Sequence, residues 1–290
     1  MDIYGNTYKK LRKKHGLTLS QASSGIVDAA TLSRWENGKG DMYFGNVIEL
    51  LKKINMYPDE FIMIAKTNAN KKRNVIFEKL KKLYSEKDSR GLYGLAQTQL
   101  KNYENTTEEL DLFLVVTICC MYQDLTNKSI LSNKLKAELY SIFDRVQSWN
   151  EYYSRAFGNV VEVIDNERIF QYMKSIVIAI DEISNVDAKR KNCMIIALLN
   201  AYTKLIKTSI VLAKKAKILL ENLEIPRYLM YAKVKLSFLN NLLNYQLGDN
   251  FAVQKMEKVT SLLGEVGYSE YANELALLCK DVAQNKRSPK

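Results

Sequence analysis

Three observations make this an all-α protein on sequence alone. Only three prolines and twelve glycines interrupt 290 residues, while the good helix formers Leu, Lys, Ala, Glu, Ile and Met abound. Short turn signals (NKSILS, DNER, SNVD, LEIP, LGDN, VGYS) separate long amphipathic stretches from residue 75 onward. Near the N-terminus, two short helices joined by a tight connection have the pattern of a helix-turn-helix. The expected architecture is a five-helix head, a linker and a long array of helix pairs.

The head begins with a helix over residues 3–14, where Ile3, Thr7, Leu11 and the stem of Lys14 share one stripe and basic residues fill the rest. Gly16 stops it. Thr18 is placed to cap a short helix through residue 24. Gly25, Ile26 and Val27 form the connection, Asp28 caps a third helix over 29–37, and Gly38 ends it. A fourth helix over 44–54 carries Val47, Ile48, Leu50, Leu51 and Ile54 as its apolar set. Pro58 opens a fifth, which buries Phe61 and Ile64.

On the third helix, ATLSRWENGKG, Leu32 and Trp35 lie three apart and pack inward, leaving Ala30, Thr31, Ser33 and Arg34 toward solvent. Small side chains let such a helix approach the floor of a DNA groove. Thr31 and Ser33 supply hydroxyls for base edges or phosphates, and Arg34 can fork onto guanine or a phosphate. Ser20, Gln21 and Lys39 complete the candidate DNA-contacting set. A purely structural helical hairpin shares the spacing but does not account for the missing bulky polar side chains.

Charge agrees with a polyanionic partner at this end. The net charge is +11, of which +6 falls within residues 1–73 and +5 within the remaining 217. A generally lysine-rich, solubilising surface is the competing explanation. No apolar run reaches the roughly 18 residues a membrane span requires, and the opening MDIYGNTYKKLRKK lacks a signal-peptide core. A cytoplasmic protein without membrane contact is expected. Cys119, Cys120, Cys193 and Cys279 have no metal-ligand spacing and read as free thiols. His15, the only histidine, has no evident partner, so histidine acid–base chemistry is almost excluded. No catalytic residue, metal site or cofactor is expected.

The stretch KTNANKKRN, residues 66–74, is polar and basic without apolar periodicity and reads as a linker. Beyond it, helices are expected at about 74–84, 90–102, 108–124, 132–147, 149–164, 167–184, 187–204, 207–222, 226–247, 249–264 and 269–283. The starts at 108, 149, 187 and 226 recur every 38 to 41 residues, as in an α-solenoid of tetratricopeptide-like pairs. A compact irregular bundle is the alternative. Domain boundaries follow: a head over 1–65, the linker 66–74, a repeat domain over 75–284 and a disordered tail over 285–290.

Asn159, Asn200 and Asn240 fall 41 and 40 residues apart, inside the first helix of successive pairs, where asparagine is a poor choice. A row of amides on the concave face of a solenoid could hold the backbone of an extended peptide. Asn241 and Asn244 thicken the row, Tyr202 and Tyr245 add aromatic walls, and Arg155 could meet an acidic group or pair within the chain. Ordinary polar surface in an asparagine-rich protein would look the same. The leucines of the last long helices (Leu236, Leu239, Leu242, Leu243, Leu275, Leu278) serve either a two-fold interface or the repeat core.

Two resemblances extend these readings. KKLRKKHGLTLSQAS followed by TLSRWENGKG resembles the Cro/repressor-type (XRE) helix-turn-helix over residues 3–64. That resemblance implies a structural ion pair between Arg12 and Glu36. Two positions depart from the usual pattern: Leu19 stands where a DNA-reaching glutamine is common, and Ala30 where relatives carry a larger polar reader. Phosphate contacts and DNA shape then take a larger share of recognition. Over the whole chain, GIVDAATLSRWENGKGD, SWNEYYSRAFGN, FLNNLLNYQLGDN and GYSEYANEL, in that order, resemble the Rgg/GadR/MutR regulators. Membership implies a cytoplasmic homodimer on a pseudo-palindromic promoter site. Its repeats would bind a short signalling peptide, with RNA polymerase as a conceivable further partner. The alternatives are a constitutive phage-type repressor whose helical part only dimerises and, far behind, an enzyme fused to a DNA-binding head.

Overall fold

The computed structural model describes residues 3–69, 71–182 and 187–287, and every regular element among them is helical. The chain divides into two compact units, Met1–Ser85 and Glu86–Lys290.

The first unit contains α1 (Ile3–Lys14), α2 (Leu19–Ser23), α3 (Ala29–Glu36), α4 (Phe44–Lys53), α5 (Pro58–Ala69) and α6 (Lys71–Ser85). Local chemistry sets its boundaries. The Thr18 hydroxyl accepts from the Gln21 amide while the Gln21 side chain accepts from the Thr18 amide, a complete capping box. Asp28 accepts from the Thr31 amide at 2.7 Å to start α3. Gly38, at φ +67°, adopts the left-handed conformation that lets the Lys39 amide donate back to the Arg34 carbonyl and close the helix. The core gathers Tyr8, Ala22, Leu32, Trp35, Leu50, Leu51, Ile54 and Phe61.

Three details depart from the sequence reading. On α1 the inward face is Thr7, Tyr8 and Arg12, whereas Ile3 and Leu11 are half-buried and Lys14 is exposed. Tyr8 governs this, its ring 5.6 Å from that of Trp35 and its hydroxyl donating to the Leu50 carbonyl at 3.1 Å. On α5, Ile64 is only half-buried, and the buried residues are Phe61 and Ala65. The 66–74 stretch, expected as a linker, belongs to the end of α5 and the start of α6, with residue 70 outside the described residues. Lys, Ala and Asn neither break a helix nor demand one, so this segment's lack of apolar period did not define its backbone.

The second unit contains α7 (Ser89–Thr106), α8 (Glu109–Thr126), α9 (Asn133–Asp144), α10 (Glu151–Val160), α11 (Asn166–Asp181), α12 (Ala188–Thr208), α13 (Ile210–Glu221), α14 (Met230–Gln246), α15 (Phe251–Glu265) and α16 (Ser269–Arg287). Short 3-10 turns follow α10 (Val161–Val163) and precede α14 (Arg227–Leu229). One layer runs α8, α10, α12, α14 and α16, each packed on the next; α9, α11, α13 and α15 pair with them outside, α11 touching α13. The polar contacts between successive inner helices, or the 3-10 turn that follows α10, carry the repeat period. Arg155 to Cys193, Asn200 to Gly158, Tyr202 to Asn240 and Lys204 to Glu162 all span 38 to 42 residues. A solenoid places equivalent positions of adjacent repeats side by side, which is what these separations record.

Aromatic rings fill one end of this core. Phe113, Phe143, Trp149, Phe157 and Tyr172 stack at centroid distances of 5.4 to 6.3 Å, and the Trp149 indole donates to Ser175. Leu239, Leu242, Leu243 and Leu275 are buried within the subunit, and Leu236 and Leu278 pack against the same core. Of the two roles open to these leucines, the repeat core is the one the packing gives them. The tail over 285–290 falls partly in α16, and its last three residues lie outside the described residues.

Candidate functional site

In the head, α3 is fixed from below and open above. Leu32, Trp35 and Glu36 are buried, Ala30 and Arg34 are exposed, and Thr31 and Ser33 are half-buried at the edge. Ser20, Gln21 and Lys39 are also exposed. The fixation is electrostatic as well as apolar. Arg12 Nε and Nη2 donate to the two Glu36 oxygens at 2.6 and 2.8 Å, and Nη1 donates to the Leu17 carbonyl at 2.5 Å. The carboxylate keeps the guanidinium pKa above its usual value, and burial together with the Glu36 charge lifts the Tyr8 phenol to about 12. One guanidinium thus ties α1, the end of α3 and the loop before α2 together, a bidentate clamp in a desolvated setting.

The exposed face is already ordered before any ligand arrives. Arg34 Nη2 donates to the Thr31 hydroxyl at 3.2 Å, and that hydroxyl donates to Asp28 Oδ2 at 2.7 Å. These bonds hold the Asp28 carboxyl below its ordinary pKa, the Thr31 hydroxyl bond contributing most. Asp28 was legible in sequence as a cap. Its link to Arg34 was not, although the spacing 28, 31, 34 puts all three along one side of the helix. At the other end Lys9 Nζ donates to Asn37 Oδ1 at 2.7 Å, and Asn37 donates to the Ser33 carbonyl.

In the second unit, the structure sorts the asparagine row into different places. Asn159 and Asn200 line a cleft of about 280 Å³ with Glu162, Lys235, Tyr271 and Glu274. The Asn159 amide makes no hydrogen bond among the described residues. Asn200 donates to the Gly158 carbonyl at 3.2 Å and accepts from Lys235 Nζ at 3.0 Å, bridging α10, α12 and α14. Asn240 accepts from the hydroxyl of Tyr202, which is wholly buried and therefore walls no groove. Asn241 donates to Ser237 in its own helix, and Asn244 accepts from Lys217. Tyr245 packs half-buried against the core. Arg155 pairs with Glu151 at 2.9 Å and reaches the Cys193 sulfur at 3.3 Å, so its charge is engaged within the chain and away from the cleft. Regular spacing brought these residues into register, but each helix's rotation decided which amides face the opening.

Lys235, Tyr271 and Glu274 had no signal in the sequence, because they reach the cleft from α14 and α16. Glu162 also borders a neighbouring opening of about 750 Å³ lined by Lys136, Asp165, Lys204 and Thr208. Among the described residues no cluster of histidine, cysteine and acidic side chains could hold a metal ion. Burial pushes the Cys119 thiol up to about 11 and Cys120 higher still, away from nucleophilic reactivity. No helix among the described residues is long and apolar enough to cross a membrane.

Comparison with known proteins agrees with both units. A helix-turn-helix family model matches residues 9–61. Among solved structures, the SHP pheromone receptor Rgg2 of Streptococcus dysgalactiae is 17% identical, with 96% of this chain and 98% of that one covered at a TM-score of 0.71. The PrgX/cCF10 complex is 13% identical over 98% of this chain and 94% of that one, also at 0.71. These likenesses establish a shared helical fold. No curated protein matches the sequence. The model described as "HTH-type transcriptional regulator Rgg, C-terminal domain" matches residues 93–277, nearly two thirds of the chain and almost all of its helical repeats. With a helix-turn-helix ahead of those repeats, the chain belongs to the Rgg family of helix-turn-helix transcriptional regulators.

Proposed function

We propose that this regulator is a homodimer that reads a pseudo-palindromic promoter site through α3 and is switched by a short peptide bound along the inner helices of its repeats. The observation that carries the peptide half is the cleft at Asn159, Asn200 and Lys235. There an unengaged amide and a cation sit beside the opening on an otherwise close-packed inner layer. Solved structures of the same fold include a receptor for the SHP pheromone, PrgX in complex with cCF10 and a bacterial peptide pheromone/receptor complex, which supports a peptide as the ligand class. Direct contacts come from Arg34, Thr31, Ser33 and Ala30, with Ser20, Gln21 and Lys39 beside them; Arg12 and Glu36 hold the platform.

A dimer follows from affinity. One helix-turn-helix covers half a site, and its phosphate contacts weaken steeply with salt, whereas two joined heads reach half-sites about one helical turn, roughly 34 Å, apart or a multiple of it. On this reading the protein works in the cytoplasm, and RNA polymerase is a further partner.

The engaged state of Asn200, Asn240, Asn241 and Asn244 favours a second reading, in which the repeats serve only as a dimerising scaffold for a constitutive repressor. Gel-shift titration separates the two. Binding to the DNA upstream of its own gene is measured with and without short apolar peptides encoded by neighbouring small reading frames. A coupling free energy of about 1–3 kcal/mol changes DNA affinity roughly 5- to 150-fold. A peptide that binds the protein but leaves operator affinity unchanged supports the scaffold.

A further inference from the structure

Resting on the peptide reading, we infer that the cleft between α10, α12, α14 and α16 is a receptor for the free C-terminal carboxylate of that peptide, with Lys235 as its cation.

Lys235 lies largely within the fold, and its ammonium has a single partner among the described residues, Asn200 Oδ1 at 3.0 Å. An ammonium carries three donors, so two lack a protein acceptor. Burial accordingly lowers the lysine pKa, an effect that Glu274 opposes without forming an ion pair with it. The Tyr271 hydroxyl lines the same cleft from α16, its ring 4.7 Å from that of Tyr231, and is buried without a well-formed hydrogen bond. With the unengaged Asn159 amide, three kinds of side chain border one small space; Lys235 and Asn159 have donors to spare, and the Tyr271 hydroxyl is held only by a poorly aligned interaction with Tyr231. Donors withdrawn from water and left unpaired are costly, as at Lys235 and Tyr271, while the Asn159 amide sits at the exposed rim; an incoming oxygen anion can accept from all three.

The charge count sets the class of anion. One lysine faces the cleft, Glu162 at its edge is paired with Lys204 at 2.9 Å, and Glu274 stands at the exposed rim, so a monoanion is accommodated and a phosphate dianion is opposed. Leu275 and Leu278 supply an apolar wall beside the donors, suited to the side chain of a terminal residue. The volume, about 280 Å³, sits at the lower edge of the roughly 300–1,000 Å³ of whole-ligand sites. It takes one end of a longer molecule, and the neighbouring opening that Glu162 also borders has space for the preceding residues.

The test uses two pools of mainly apolar octapeptides, some members of each carrying one Asp or Glu, one pool with free C-termini and one C-terminally amidated, each passed with the full-length protein through a desalting column. Retained peptides are identified by mass spectrometry. The free-acid pool is expected to be retained at least about tenfold better, the scale of one charge-assisted hydrogen bond. Lys235→Met should abolish that preference without lowering the melting temperature, and the milder Tyr271→Phe should reduce it. Equal retention of both pools overturns the carboxylate site while leaving a peptide groove in place. Preferential retention of amidated peptides containing Asp or Glu assigns the lysine to a side-chain carboxylate and overturns the terminal assignment. Retention of neither pool sinks the peptide reading and this inference with it.

Discussion

At the residue scale, two arginines of the head illustrate opposite uses of one side chain. Arg12 is buried against Glu36 with side-chain exposures of 6% and 2%, so neither partner can be removed alone without stranding a charge. Arg12→Ala or Glu36→Ala should each destabilise the protein by about 3–5 kcal/mol in urea unfolding, whereas replacing both with apolar residues of similar volume should cost far less. Arg34 is exposed and held by Thr31, which Asp28 holds in turn. Asp28→Ser keeps a capping oxygen, so stability should change little, yet Arg34 loses its orientation. Selection from a random duplex pool should then show relaxed preference at the base pair that Arg34→Ala also relaxes. An unaltered preference for Asp28→Ser alongside an altered one for Arg34→Ala would show that the relay does not set specificity.

At the element scale, the contact between α10 and α12 depends on one glycine. A Cβ on Gly158 would lie 3.2 Å from the Ala197 Cα and 3.3 Å from its Cβ, and the Gly158 carbonyl accepts from Asn200. Gly158→Val forces the helices apart, and thermal unfolding should report a loss of about 1–3 kcal/mol, as for other overpacked cores. The join between α9 and α11 is electrostatic instead. Lys136 holds Asp165 at 2.6 Å, and Arg168 and Tyr172 both bond Asp144. The Lys136 hydrogen bond depresses the Asp165 pKa. For Asp144, burial pushes the pKa up, but the Tyr172 and Arg168 bonds outweigh it and leave it lowered. Both carboxylates therefore bind protons less readily folded than unfolded. Their stabilisation is complete above the ordinary value of 3.8 and disappears as pH falls below it. Denaturation midpoints followed from pH ~5 down to ~3 should fall, and Asp165→Asn should flatten part of that slope.

At the scale of the whole molecule, the repeat array gives a ligand purchase on several helices at once. Asn200 touches α10 through Gly158 and α14 through Lys235, so a group that recruits Lys235 alters contacts on both sides of α12. Packed helices shift between discrete arrangements more readily than they deform, which is how a small cleft event can alter a large unit. In the proposed dimer, two heads would double the phosphate contacts. The slope of log affinity against log salt for the intact protein should therefore be about twice that of a variant kept monomeric. Equal slopes would mean that only one head engages the DNA.

Much was legible from the chain itself. Caps at Thr18 and Asp28, the Gly38 stop and the inward pair Leu32 and Trp35 are local features, and local chemistry expresses them wherever the helices sit. The repeat period was equally plain, since helix starts that recur every 38 to 41 residues reflect similar folding units. What the sequence could not show is rotation about each helix axis. Spacing by 40 residues aligned Asn159, Asn200 and Asn240, but packing turned Tyr202 into the core and bound Asn240 to it, while Asn159 kept its amide for the opening. Lys235 and Tyr271, far apart in sequence, became neighbours because α14 and α16 pack against each other. Periodicity along a chain determines which residues share a layer. Only the competition among side chains for the interior decides which of them face an opening.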